Sequence, residues 1–186
     1  MSNQYYLVSQ LPEFTVSDDR SALPITYEYY YDLCSRFLDK KEMKILEGLS
    51  LEPPLESYRS GSSFVDSWNY KERSLRLALA QIRALRMKKK FSAGNESIAP
   101  DAVLAARTAS GMESPLAAEQ YLNQYRLNVI ESMRPMDGFS VDAVFSYGLR
   151  LKLATRMKKF NAATGMASYH KIYDSILKAD AQENNK

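Results

Sequence analysis

Residues 63–90, with the sequence SFVDSWNYKERSLRLALAQIRALRMKKK, contain neither glycine nor proline. Apolar residues recur there at helical intervals, and those near one face are Trp68, Leu75, Leu79, Ile82 and Leu85. This period predicts a long helix with one buried face. The whole chain has only 7 glycines and 7 prolines in 186 residues, and this scarcity of breaking residues favours helices throughout.

Six further helices are predicted from residues that cap helices or begin them. The expected starts are Thr26, Asp39, Ser97 with Pro100, Ser114 with Pro115, Ser140 and Ser168. Residues 5–11 are aromatic and β-branched, with Pro12 following, and are predicted to form a short extended segment. The expected fold is therefore mainly α, a bundle of about seven helices with a short N-terminal extended segment.

Apolar spacing also predicts which side chains of these helices face the core. The helix after Ser140 is expected to turn four side chains inward, namely Val144, Phe145, Leu149 and Leu153. The helix after Ser97 is expected to use Val103, Leu104 and its alanines. In the last helix, residues 168–179, one face gathers Tyr169, Ile172, Tyr173 and Ile176.

One helical domain is predicted over residues 1–186. Pro53-Pro54 and the run Ser60-Gly61-Ser62-Ser63 interrupt backbone hydrogen bonding, so residues 51–63 are the candidate boundary between subdomains. Gly165 is expected to end the preceding helix or to lie in the loop beyond it. Residues 180–186 are polar and are predicted to fray.

Composition excludes several classes of protein. With 45% hydrophobic and 25% charged residues the chain is neither disordered nor fibrous, and its net charge of +3 does not demand a nucleic-acid partner. The single cysteine excludes an internal disulfide framework. The first residues lack the features of a signal peptide, and no apolar run reaches about 18 residues, so a cytoplasmic location is expected.

The residue types needed for catalysis or metal binding are scarce. With one cysteine and one histidine, a structural zinc site is effectively excluded. Cys34 and His170 are the only nucleophile and base pair available, but both lie on apolar helical faces, where core packing is the simpler interpretation. The run 60–63 lacks the lysine and the glycine spacing of a phosphate-binding loop. The chain is therefore predicted to be no enzyme and to hold no cofactor or metal.

Basic residues form the strongest charge pattern. Arg76, Arg83 and Lys90 are seven residues apart, with Arg73 and Arg86 one turn from members of this row. Glu72 is the only acid between Trp68 and Lys90, so this basic stripe is expected to remain unneutralised. A second zone comprises Arg150, Lys152, Arg156, Lys158 and Lys159. Either zone fits a solvated helix face or a surface that binds an acidic protein or a nucleic acid.

Three stretches of the chain resemble one bacterial family of unknown biochemical activity. They are YYLVSQLP at residues 5–12, SPLAAEQYL at 114–122 and FSVDAVFSYGLRLKLATR at 139–156. Members of that family are encoded beside V/A-type ATPase subunits. The last two stretches are similar, more remotely, to the helical C subunit, which is called d in eukaryotes. Positions that match the family's pattern are Pro115, Glu119, Tyr147, Arg150 and Arg156.

The resemblance implies a non-catalytic part of a rotary ATPase that transports protons or sodium ions. It implies an accessory or stalk subunit that couples the central shaft and the membrane rotor by protein contacts, peripheral to the membrane. The residues expected to bind these partners are Arg73, Arg76, Arg83, Arg86, Lys90, Arg150 and Arg156. The alternative is a helical module that binds nucleic acid through Arg73, Arg76, Arg83 and Lys90.

Overall fold

The computed structural model describes residues 4–16, 22–56, 58–94, 96–159 and 162–183, and these residues form eight helices and no strand. The helices are α1 Tyr5–Ser9, α2 Tyr27–Phe37, α3 Lys40–Glu47, α4 Ser63–Arg86, α5 Pro100–Gly111, α6 Pro115–Ser132, α7 Val141–Lys158 and α8 Ala162–Glu183. Side chains of α8 are described from residue 165 to residue 177. The predicted mainly α fold is confirmed, and the helix beyond the expected seven is α1.

The N-terminal segment differs from the prediction, because Tyr5–Ser9 is helical instead of extended. Aromatic and β-branched residues favour extended backbone only weakly, and tertiary contacts override that preference. Leu7 is fully buried in the core, and the backbone N–H of Gln4 donates to the carbonyl of Phe139 at 2.9 Å. These long-range contacts fix the segment as one short turn of helix against the start of α7.

Four of the predicted helix starts are confirmed by side-chain caps. Thr26, Ser114 and Ser140 each accept a hydrogen bond from the backbone N–H three residues later. Asp39 forms a full capping box with Glu42, whose carboxylate accepts from the N–H of Asp39 at 2.9 Å. Ser97 is not the cap of α5, since Ala99 occupies that position ahead of Pro100.

Two apolar clusters form the interior. The larger one joins α1, α2 and α3 to the first turns of α4, the end of α6 and most of α7. The smaller one joins the middle of α4 to α5 and the start of α6 and is rich in alanine. All four side chains predicted to face inward from α7 are fully buried. Residues on both sides of the 51–63 loop, such as Leu46 and Phe64, lie in the same cluster.

Helices α2 and α7 approach each other closely at Gly148. A Cβ built on Gly148 would stand 2.6 Å from the Tyr30 hydroxyl oxygen, so only glycine fits this position. The Tyr30 hydroxyl donates to the carbonyl of Val144 at 2.8 Å, and its ring stacks on Tyr147. A fully buried tyrosine thus satisfies its polar group on the helix that it packs against.

Three predictions about apolar residues and helix ends are wrong. Leu85 is 70% exposed and Leu104 is 66% exposed, although both follow the apolar spacing of their helices. Gly165 lies inside α8 and does not end a helix, because α8 spans 22 residues in place of the predicted twelve. Residues 184–186 of the predicted frayed tail lie outside the described residues, and 180–183 belong to α8.

Candidate protein-binding surface

Two arginines of the predicted basic stripe are bound within the fold. Arg73 pairs with Glu96 at 2.9 Å and donates to the backbone carbonyls of Pro54 and Leu55. Arg76 pairs with Glu72 at 2.9 Å and lies 3.6 Å from Glu52. The expectation of an unneutralised stripe is therefore wrong here, because Glu72 of the same helix and Glu52 and Glu96 of the neighbouring loops supply negative charge.

The C-terminal part of the stripe is interrupted by the end of the helix. Helix α4 ends at Arg86, so Lys90 does not continue the seven-residue row along it. Arg86 donates to the backbone carbonyl of Ser110 at the end of α5. Arg83 and Lys90 are exposed, and no ion pair among the described residues involves either of them. Only this end of the stripe remains available to a partner.

We call this region the basic end of α4. It consists of Arg83, Leu85, Met87, Lys88, Lys89 and Lys90, all of them exposed. Leu85 and Met87 are 70% and 59% exposed, so apolar surface lies within the cationic surface. The region therefore offers a protein partner both charged groups and exposed apolar side chains.

The basic end of α4 has an unusual backbone conformation. Lys88 has a φ of +53°, which makes it the only non-glycine residue with positive φ among those the structure describes. The N–H of Lys88 donates to Leu85 O at 3.1 Å and the N–H of Lys89 to Ala84 O at 2.9 Å, which is the Schellman pattern. Glycine normally occupies this position, because a side chain there costs about 1–2 kcal/mol. A lysine is thus held where glycine would be more stable.

The second basic zone, on α7, is used mainly inside the fold. Arg156 donates to Glu119 of α6 at 2.6 Å, which places these two predicted positions together. Arg150 pairs with Glu131 at 2.8 Å, donates to the Phe14 carbonyl and lies over the Phe14 ring. These two arginines join α7 to α6 and to the N-terminal segment.

Lys152 of the same zone is also bound. It donates to the Leu49 carbonyl and lies 4.4 Å from the ring centre of Tyr27. Burial lowers its pKa, because desolvation disfavours the charged ammonium. This zone is therefore a packing interface between helices, with Lys158 and Lys159 at its end.

Sequence reasoning missed a buried ion pair at the junction of the two apolar clusters. Glu72 is 1% exposed and accepts from Arg126 Nε at 3.0 Å and from Arg126 Nη2 at 3.1 Å. Asn123, also buried, accepts from the same guanidinium at 3.2 Å. In the sequence, Glu72 stands out only as the one acidic residue within the basic stripe of α4. No local pattern could have paired it with a residue 54 positions away.

The two candidate catalytic side chains lie in different surroundings. Cys34 is fully buried in the larger cluster, and burial raises the pKa of its thiol to about 11. His170 is exposed on α8, where its ring contacts that of Tyr169. A thiol with this pKa carries almost no thiolate at neutral pH, and no base among the described residues activates it.

The described residues also contain no group of three or more histidine, cysteine, aspartate or glutamate side chains placed to hold a metal ion.

Comparison with known proteins gives one match, to part of the chain. A family model described as "Protein of unknown function (DUF2764)" matches residues 99–180, which is less than half of the chain. The matched part contains α5, α6, α7 and most of α8, and omits the basic end of α4. No curated protein matches the chain, and no solved structure matches it. Within the described residues, no helix has the length and apolar character needed to cross a bilayer.

Proposed function

We propose that this chain is a non-catalytic accessory or stalk subunit of a bacterial V/A-type ATPase. In this role it couples the central shaft and the membrane rotor by protein contacts made through the basic end of α4. The exposed cations there, with apolar side chains between them, are the observation that supports a protein partner. The resemblance of residues 5–12, 114–122 and 139–156 supports the ATPase setting.

The partner that fits this surface is an acidic helical segment with some apolar residues. Its carboxylates would face Arg83 and Lys88–Lys90, and its apolar side chains would cover Leu85 and Met87. Such charges accelerate encounter and fix the register of the complex, while the apolar contacts resist dissociation. The positive φ at Lys88 supports this role, since strained backbone persists where function outweighs its cost.

Co-purification from native membranes tests the proposal. A tagged chain is expected to bring down subunits of the rotary ATPase. Reversing two charges at the basic end of α4, Lys89→Glu with Lys90→Glu, is expected to abolish this association. The control pair Lys40→Glu with Lys41→Glu makes the same change in net charge at exposed lysines of α3 and should leave it intact. Absence of ATPase subunits from the wild-type preparation would overturn the proposal.

Lys88→Gly separates binding from folding. Relief of the positive φ is expected to raise the free energy of unfolding by about 1 kcal/mol, while removal of the charge weakens association. We expect a more stable protein that retains less partner at moderate salt. If stability rises and partner retention is unchanged, the charge of Lys88 has no role in binding.

The alternative is nucleic-acid binding through Arg73, Arg76, Arg83 and Lys90, and the contacts of two of these residues argue against it. Two of the four residues required for it, Arg73 and Arg76, already pair with carboxylates. Fewer phosphate contacts mean weaker binding with a shallower dependence on salt. Anisotropy of a labelled duplex at low salt measures this directly. Tight binding that weakens steeply with added salt would favour nucleic-acid binding over protein binding as the function of this region.

A further inference from the structure

Helix α8 carries an apolar face that the rest of the fold leaves uncovered. Every described side chain of α8, from residue 165 to residue 177, is exposed, and α8 takes part in none of the closely packed helix pairs of the described chain. Its large apolar side chains are 49–61% exposed and comprise Met166, Tyr169, Ile172, Tyr173, Ile176 and Leu177. A continuous face of this size marks an interaction site.

The spacing along this face is that of a coiled-coil seam. Met166, Tyr169, Tyr173 and Ile176 follow each other at intervals of three, four and three residues, which is the a and d pattern of heptads. Ile172 and Leu177 occupy the g and e positions beside the seam. Charged residues at these positions often determine which helices pair with each other. These neutral flanks contain nothing that repels an identical helix.

Charge along α8 and the residues before it favours an antiparallel pair of identical helices. No acidic residue lies between Asp142 and Asp174, and the residues directly before α8 include Lys158 and Lys159. The second half of α8 is acidic, with Asp174, Asp180 and Glu183 against a single lysine. In an antiparallel pair, the first half of α8, which contains Lys171 and no acidic residue, faces the acidic half of the other copy. A parallel pair would instead place the acidic half of each copy against that of the other.

We propose that α8 is a self-association surface that pairs antiparallel with α8 of a second copy of this chain. In this register Met166 lies opposite Ile176 of the second copy, and Tyr169 lies opposite its Tyr173. Aromatic side chains bury on the order of 150–250 Å² each, and the aliphatic ones of this face fall towards the lower end of about that range. Six such side chains at half exposure therefore offer on the order of 600 Å² per copy, against about 800 Å² per partner in a standard interface. The dimer is accordingly a weak one that dissociates on dilution.

Sedimentation of the full chain over a dilution series tests the proposal. The wild-type protein is expected to show a dimer that dissociates as concentration falls. Ile176→Asp is expected to give a monomer at every concentration. The control Ser175→Asp adds the same charge one residue away, off the apolar face, and should still form the dimer. Fluorescence of the single tryptophan, Trp68, checks that both variants keep a folded body.

Crosslinking through introduced cysteines tests the orientation of the pair. Met166→Cys and Ile176→Cys are prepared separately, and the one native cysteine, Cys34, is buried. Mild oxidation of a mixture is expected to join the two variants, while each variant alone stays largely uncrosslinked. Self-crosslinking of each variant would mean a parallel pair and would overturn the proposed arrangement. A wild-type chain that remains monomeric at every concentration would overturn self-association. The same holds if α8 is covered only when a different protein binds it.

Discussion

Glu72→Gln probes the buried ion pair that joins the two apolar clusters. Glu72 and Arg126 have side chains that are 1% and 7% exposed, and two hydrogen bonds of 3.0 and 3.1 Å connect them. Glutamine has nearly the same shape as glutamate, so the change removes a charge without opening a cavity. What remains is the buried guanidinium of Arg126 beside a neutral amide, while Arg76, which is 39% exposed, loses the same partner and keeps Glu52 nearby. The expected result is therefore an electrostatic loss, separate from any loss of packing.

The size of this loss follows from what is left near Arg126. Removing one partner of a buried pair costs about 3–5 kcal/mol, because the other charge stays desolvated. Glu119 lies 3.7 Å from Arg126 Nη1 and would offset part of that cost. We expect a decrease of about 3 kcal/mol in the free energy of unfolding, which lowers the melting temperature of a chain of this length by roughly 6–12 °C.

Urea unfolding followed by Trp68 fluorescence measures this loss, since Trp68 is buried one turn before Glu72 on α4. Asp32→Asn is the matched control, because its pair with Arg36 is 57–64% exposed and is worth about 0.5 kcal/mol or less. Replacing both members of the buried pair, Glu72→Leu with Arg126→Met, is expected to recover much of the stability. A loss below about 1 kcal/mol for Glu72→Gln would refute the assignment of Glu72 as the required counter-charge.

Two further predictions concern the packed core. Gly148→Ala puts a methyl group 2.6 Å from the Tyr30 hydroxyl, so we expect urea unfolding to show a loss of about 1–3 kcal/mol, while Gly111→Ala, with nothing within 4 Å, loses none. Stability is also expected to fall at alkaline pH, because burial raises the pKa of Tyr27 from 10.0 to about 12 and that of Cys34 from 9.0 to about 11. The unfolded chain releases these protons first, so their contribution is complete below about pH 9 and is lost as the pH rises towards 12. An equal urea midpoint at pH 8 and pH 11 would contradict this.

The starts of the helices could be predicted from the sequence because the residues that cap a helix act locally. The caps at Thr26, Asp39, Ser114 and Ser140 act within three residues of the helix start, and each is found where the sequence places it. The inward face of α7 follows for the same reason, since its apolar period is set by helix geometry alone. What a helix packs against is not a local property, and there the sequence predictions weaken.

Leu85 and the residues of α8 show that limit. Their apolar spacing is that of a buried face, and the spacing is correct for α8, whose apolar side chains do share one face. None of the described residues of the same chain covers that face, and Leu85 lies outside the alanine-rich cluster. Periodicity indicates that a face will be buried, but it does not specify whether the covering surface belongs to the same molecule.

The predicted partner-binding set divides by where its cations lie in the fold. Five arginines of that set, Arg73, Arg76, Arg86, Arg150 and Arg156, contact carboxylates or backbone carbonyls within the fold. A planar guanidinium donates several directed hydrogen bonds and is weakly hydrated, which suits these five positions. Arg83, by contrast, lies exposed near the C-terminal end of α4. Substituting the five arginines would therefore disturb the fold and weaken partner binding indirectly. Variants that report on binding itself must come from Arg83 and from Lys88–Lys90, where the charge faces outward and the fold does not depend on it.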